Sequence, residues 1–153
     1  MNYKEVLTSN IEFSDCRKIV ALFDKRRPSV KYIANNPNAR FISVFHVDGG
    51  LITDNEAKCD KLMVAENENE YETKHPDFYF IEFKGTDFET AIRQLNRSID
   101  VLMCNVDFRS VNCRLVMSRC PNIKNTSEIR LERKLKVMNG NFKRQSRQLE
   151  ETI

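Results

Sequence analysis

The segment DFYFIEFKG at residues 77–85, continued at once by TDFE at residues 86–89, decides how the chain is read. It predicts a hydrophobic strand over residues 78–84 that turns at Gly85 and enters a helix capped by Thr86. Side chains alternate faces along a strand, so Glu82 and Lys84 share one face and Phe83 takes the other. A carboxylate and an ammonium one pleat apart on a hydrophobic strand are costly to bury unless they are paired or bind a metal. The helix that follows carries the clearest local signals. Thr86 and Glu89 have capping-box spacing, and Phe88, Ala91, Ile92, Leu95, Ile99, Leu102 and Met103 recur with helical period through about Cys104.

Upstream, Ser14 and Asp15 look like a helix start, and Ile19, Val20, Leu22 and Phe23 suit one helix face, which predicts a helix over residues 14–27 that stops before Pro28. Residues 11–13 are read as a short strand or a lead-in. Residues 41–47 are β-branched and aromatic and end at Asp48-Gly49-Gly50, a strand and turn. Residues 51–53 are read as a continuing ribbon, residues 59–65 as a second strand with Asp60 near its start, and residues 66–75 as an exposed, mobile hairpin loop. After a loop over residues 105–110, residues 111–118 read as a fourth strand. Residues 128–137 read as a basic amphipathic helix and residues 142–153 as a short strand that then frays. The order is helix, strand, strand, strand, helix, strand, in one domain spanning residues 1–153 with a basic extension over about 120–153.

Composition sets the background. With 153 residues the chain can bury a core of its own. Its 41% hydrophobic and 31% charged residues are ordinary for a soluble globular protein. Five cysteines (Cys16, Cys59, Cys104, Cys113, Cys120), without CxxC spacing and without an apolar leader, predict reduced, mostly buried thiols in the cytoplasm and no membrane partner. Two histidines, His46 and His75, argue against zinc. Net charge is +3, yet from residue 105 onward eleven Lys/Arg face five Asp/Glu. That surplus of six leaves the first 104 residues at −3. Such an asymmetry suits a phosphate-bearing partner or a solvated helix surface.

An αβββαβ order with an acid at the second strand and Glu-x-Lys at the end of the third resembles the PD-(D/E)XK nuclease superfamily over roughly residues 14–119. The strings at residues 48–52, 58–60, 80–85 and 91–95 also look like small bacterial proteins of that superfamily. The resemblance implies a restriction-endonuclease-like α/β core, a mixed central sheet flanked by helices. It implies one Mg²⁺ (or Mn²⁺) held by Asp60, Glu82 and the Phe83 carbonyl, with Lys84 assisting the attacking water. Gln94, about two and a half turns into the helix, matches an assisting Gln in some members and otherwise reads as a surface amide. Asp48 is a further acid from the first strand's end, or a turn former. The superfamily often adds a Glu from the first helix, where this chain has only Asp15 and Asp24.

Pro76-Asp77 spells the superfamily's name, but Asp77 lies five residues before Glu82, on the opposite face and about 16 Å away at 3.3 Å per residue. It cannot share an ion with Glu82. Asp60, on the neighbouring strand of a hairpin, can lie within about 5 Å. Mg²⁺ takes oxygen ligands and keeps waters, so two carboxylates and a carbonyl suffice. Cys59 lacks a nearby histidine and reads as packing. The expected activity is an endonuclease hydrolysing phosphodiesters of DNA, with RNA second. The phosphate contacts would be Arg114, Arg119, Lys124, Arg130, Arg133 and Lys134, joined by Arg109 and Lys136. A homodimer or a partner subunit would supply recognition. The competing reading is a catalytically silent nucleic-acid- or protein-binding module on the same fold.

Overall fold

The computed structural model of the chain describes residues 1–67 and 75–153. The predicted loop over residues 66–75 falls largely outside the described residues. Three strands form an antiparallel meander, β4 (Ile42–His46), β5 (Lys61–Ala65) and β6 (Asp77–Lys84), with Ile42 opposite Ala65 and Lys61 opposite Ile81. Helix α2 (Phe88–Leu102) then carries the chain back, and β7 (Ser110–Met117) runs parallel to β6 from Asp77/Ser110 to Lys84/Met117. The crossover covers one face and a second layer covers the other. Both strands are therefore buried on two sides, which is why they read as continuous apolar runs rather than alternating ones. Strand β1 (Ile11–Asp15) extends the sheet beyond β4 and β8 (Phe142–Ser146) beyond β7, giving six strands in the order β1-β4-β5-β6-β7-β8. This is an α/β protein with a mixed sheet.

One face of that sheet packs on helices. Phe78 and Phe80 of β6, Leu62 and Val64 of β5 and Leu115 of β7 meet Ala91, Leu95 and Ile99 of α2 and Leu131 and Leu135 of α3 (Thr126–Val137). Burying each phenylalanine contributes about 2 kcal/mol. The N-terminal α1 (Tyr3–Val6) closes this core at one end, where the Tyr3 ring meets Phe78 edge-on.

The opposite face holds the main departure from expectation. Residues 14–27 do not form a helix; they complete β1 and form β2 (Ile19–Phe23). β2 pairs with β3 (Lys31–Asn35), which pairs in parallel with β9 (Gln148–Thr152), and this small sheet caps the large one. Val20, Leu22, Tyr32 and Ala34 pack on Val44, Met63, Ile81, Phe83 and Val116. The all-apolar run IVALF satisfies either period. What decides is that Val20 and Leu22 are buried while Ile19 and Phe23 are exposed, an alternation of two. Asp15, expected inside that helix, accepts the Arg17 N–H at 3.0 Å and so turns the chain between β1 and β2.

Three smaller corrections concern local signals. Asp87, not Thr86, caps α2 by accepting the Thr90 N–H at 3.1 Å. Glu89 is drawn away instead, accepting from Asn125 and from Ser127. Residues 51–53 add only a single bridge, Asp48 to Ile52. Of the five thiols only Cys59 and Cys113 are buried, Cys120 is half-buried, and all are free.

The C-terminal third is structural rather than appended. Asn125 caps α3, β8 finishes the large sheet, and Arg147, at φ 68°, turns the chain within one residue into β9 of the small sheet. Residues 142–153 are thus two strands, not one that frays.

Candidate active site

The β5–β6 register places Lys61 opposite Ile81, so the next step outward sets Asp60, just before β5, opposite Glu82. Asp60 Oδ2 accepts the Phe83 N–H at 2.8 Å. In an extended strand the N–H and C=O of one residue point to the same edge, so the Phe83 carbonyl faces Asp60 too. Glu82 and Lys84 lie on the helix-facing side of β6, opposite to Phe83, and the Lys84 ammonium stands 3.4 Å from Glu82 Oε1. Glu82 is 1% exposed, and its second oxygen, Oε2, is buried without a hydrogen-bond partner among the described residues.

A carboxylate held this way resists ionisation. Burial raises the Glu82 pKa well above its ordinary value, the nearby Asp60 carboxylate raises it further, and Lys84 only partly opposes them. Burial raises Asp60 as well; the Phe83 N–H and Lys84 oppose the rise, while Asp24 and Asp48 add to it. The Cys59 thiol, wholly buried beside them, is pushed up by burial and then by Glu82, which makes it a packing group and not a nucleophile.

A cleft of about 210 Å³ opens beside Asp60, lined by Asp24, His46, Asp48, Asp60, Lys61 and Phe83 among others, while Glu82 and Lys84 lie behind it on the helix-facing side. Asp48 sits at its rim, largely exposed, with Lys58 at 3.8 Å. Gln94 is not the surface amide its helical position suggests. Its Nε2 donates to the Lys58 carbonyl at 3.0 Å, and its Oε1 is buried without a partner among the described residues. It braces the loop that delivers Asp60.

Asp24 is the acid that sequence reasoning undervalued. It directly follows β2, lines the cleft, and is held by the Arg26 N–H at 3.0 Å and the Arg27 guanidinium at 2.8 Å. Arg27 in turn lies against Gly85, tying the β2–β3 loop to the end of β6. Once residues 19–23 are read as a strand, the polar run ahead of Pro28 becomes a hairpin turn beside the site. On the far flank Lys61 pairs with Glu12, which also approaches His46 at 3.8 Å.

Asp77 is occupied elsewhere. Buried at the other end of β6, it accepts from Arg40 at 2.7 Å, from Arg109 at 2.5 Å and from Ser110 at 2.6 Å. Burial alone would raise its pKa, but these donors outweigh it and hold it below the ordinary value. Asp77→Asn is expected to cost about 2 kcal/mol of stability in chemical denaturation while leaving divalent-ion affinity unchanged.

The predicted phosphate contacts divide. Arg114 is corrected outright: 2% exposed, it points between the sheets and pairs with Glu151 at 2.6 Å, so it cannot reach a backbone phosphate. Lys124 pairs with Glu132 and Lys134 with Asp100. Arg109 is engaged by Asp77. Arg119, Arg130 and Arg133 are exposed, and the Arg119 N–H on the Gly85 carbonyl places that residue at the site's end of the sheet.

As a metal centre the donor set is sparse. Among the described residues no three His, Cys, Asp or Glu side chains gather closely enough to hold an ion. Two carboxylates and one carbonyl remain, a set that suits a hard ion retaining several waters. The orphaned Glu82 Oε2 is the observation that fits such an ion, since a buried acceptor without a donor is what a cation would satisfy. Among the described residues no helix is long and apolar enough to cross a membrane. Searches against protein-family models, curated proteins and solved structures find no match to this chain.

Proposed function

We propose that this protein is a Mg²⁺- or Mn²⁺-dependent nuclease of the PD-(D/E)XK type, hydrolysing phosphodiester bonds. The observation that carries the reading is Glu82: buried, half-unsatisfied, opposite Asp60 and 3.4 Å from Lys84. The meander β4–β6, the crossover α2 and the parallel β7 run in the βββαβ order that a restriction-endonuclease-like core would have, which supports the reading. The superfamily's first helix has no counterpart at residues 14–27, where β1 and β2 stand instead.

Asp60, Glu82 and the Phe83 carbonyl would hold the ion, which would supply positive charge against the scissile phosphate and a more acidic water. Lys84, paired to Glu82 in the resting protein, would turn its ammonium to the attacking water and then to the charge developing on the phosphoryl oxygens. Gln94 keeps Asp60 in place through Lys58. Asp48 and Asp24 add negative potential that draws cations into the cleft.

A second reading, a catalytically silent binding module on this fold, is favoured by the absence of a third close acid among the described residues. Titration calorimetry separates the two. The nuclease reading expects Mn²⁺ binding that releases protons and that Glu82→Gln weakens by roughly ten- to a hundredfold. It also expects Mg²⁺- or Mn²⁺-dependent cutting of plasmid or oligonucleotide, lost in Asp60→Asn. Absence of ion binding with intact nucleic-acid binding would establish the silent module.

A further inference from the structure

The cleft at Asp60 adjoins further depressions along the same flank of the molecule. At one rim stand Phe23, Lys25 and Arg26 of the β2–β3 turn. Phe23 is 48% exposed, because the alternation that buries Leu22 turns its neighbour outward. At the other rim Asp48 is shared with a second depression of about 530 Å³, lined by Lys58, Arg93 and Arg97. Arg93 is shared in turn with a third of about 520 Å³ between α2 and α3, lined by Asn96 and Arg130. The three depressions adjoin at Asp48 and at Arg93, and so mark out a track from the β2–β3 turn, past the candidate active site, across α2.

Its acids are largely engaged while four of its cations, Lys25, Arg26, Arg93 and Arg130, are in no ion pair among the described residues. Asp48 lies near Lys58, and Glu89 accepts from Asn125 and Ser127; Glu56 remains at the edge. Arg97 is taken by Asp54 and Lys134 by Asp100. Arg93 and Arg130 have no ion-pair partner among the described residues.

We propose that this track takes an unpaired nucleic-acid strand, a base stacked on Phe23 and the downstream phosphates on Arg93 and Arg130. The substrate class is thus single-stranded, whether free or frayed from a duplex. The assignment rests on the nuclease reading of the cleft. An aromatic face stacks on a base only when that base is unpaired and unstacked, and a cationic groove beside it follows the backbone without reading sequence. A cleft of about 210 Å³ whose wall includes the partly buried Asp60 admits one nucleotide's phosphate and sugar, not two paired strands.

The test is fluorescence anisotropy with a short labelled mixed-sequence oligonucleotide, single-stranded or annealed to its complement, in EDTA so that nothing is cut. The single strand should bind roughly tenfold or more tightly than the duplex, and Phe23→Ala should weaken it by roughly five- to a hundredfold while Phe23→Tyr retains it. Arg93→Ala with Arg130→Ala should flatten the salt dependence. Phe23 is half exposed, so unchanged melting of its variants shows that the fold is intact. Equal affinity for both forms, or indifference to Phe23→Ala, overturns the proposal even if divalent-dependent cutting of duplex survives. Phe23-dependent single-strand binding without cutting in any divalent ion would retire the nuclease reading and leave this one standing.

Discussion

Lys84→Ala is expected to lower divalent-dependent cutting by about 10²- to 10³-fold, the usual cost of removing one preorganised charge from a phosphoryl- or acyl-transfer site. The decisive companion measurement is ion affinity. Lys84 is the cation that now sits beside Glu82, so its removal takes away a competitor for the same carboxylate. Mn²⁺ affinity by calorimetry should therefore be retained or tightened while cutting collapses. A purely structural Lys84 predicts the reverse, with weaker ion binding and a lower melting temperature, because Glu82 would lose the one cation that favours its ionised form. Lys84→Arg keeps the charge but not the compact ammonium, and should restore stability more than rate. Cutting that survives both Lys84→Ala and Asp60→Ala would exclude the proposed site.

How far the sequence foretold these arrangements varied by segment. Strand β6 and helix α2 were legible because two independent signals agree there: an unbroken apolar run, then seven apolar residues at helical spacing. Strand geometry alone separated Asp77 from Glu82 and pointed to Asp60, which the register leaves one step beyond the Lys61–Ile81 pair. Residues 14–27 misled because a five-residue apolar run has no period of its own; β2 is one arm of a hairpin with β3, and β3 is held on its other edge by β9, more than a hundred residues later. Tertiary pairing at that separation leaves no local trace. The same blindness concealed Asp24, a strand-end residue once the hairpin is seen, and made Arg114 look like a surface cation. Nothing in VNCRLVM marks an arginine whose partner sits on the last strand of the chain.

That partner gives the second large effect. Glu151 accepts from Arg114 at 2.6 Å, from the Tyr32 hydroxyl at 2.8 Å and from Lys143 at 3.0 Å, so one carboxylate joins β7, β3 and β8 at the seam between the two sheets. Arg114 also lies 5.4 Å from the Tyr79 ring centre and donates to the carbonyls of Cys113 and Asn141. Glu151→Ala strands a buried guanidinium, and breaking a buried pair from one side costs about 3–5 kcal/mol. For a chain of this size that lowers the melting temperature by roughly 10 °C or more. Arg114→Ala should cost a similar amount, and the double variant clearly less than the two combined, because neither then leaves a lone charge. Nucleic-acid affinity of the folded Arg114→Ala protein should be unchanged, the opposite of what a phosphate contact predicts. Acid should mimic the substitution. Burial pushes the Glu151 pKa up, but Arg114, Tyr32 and Lys143 more than offset it, and the folded value lies below the ordinary 4.5. A depressed carboxylate contributes stability that is present above the unfolded pKa and fades as the pH falls through the folded one. Asp77 is depressed in the same sense, so the stability these two carboxylates contribute should be present above about pH 4.5 and fade below it, with the Glu151 variants showing the shallower acid limb, while Glu82 and Asp60, raised by burial, act in the opposite sense as the pH rises. A wild-type profile as shallow as that of Glu151→Ala would mean that the seam carboxylate contributes nothing to holding the two sheets together.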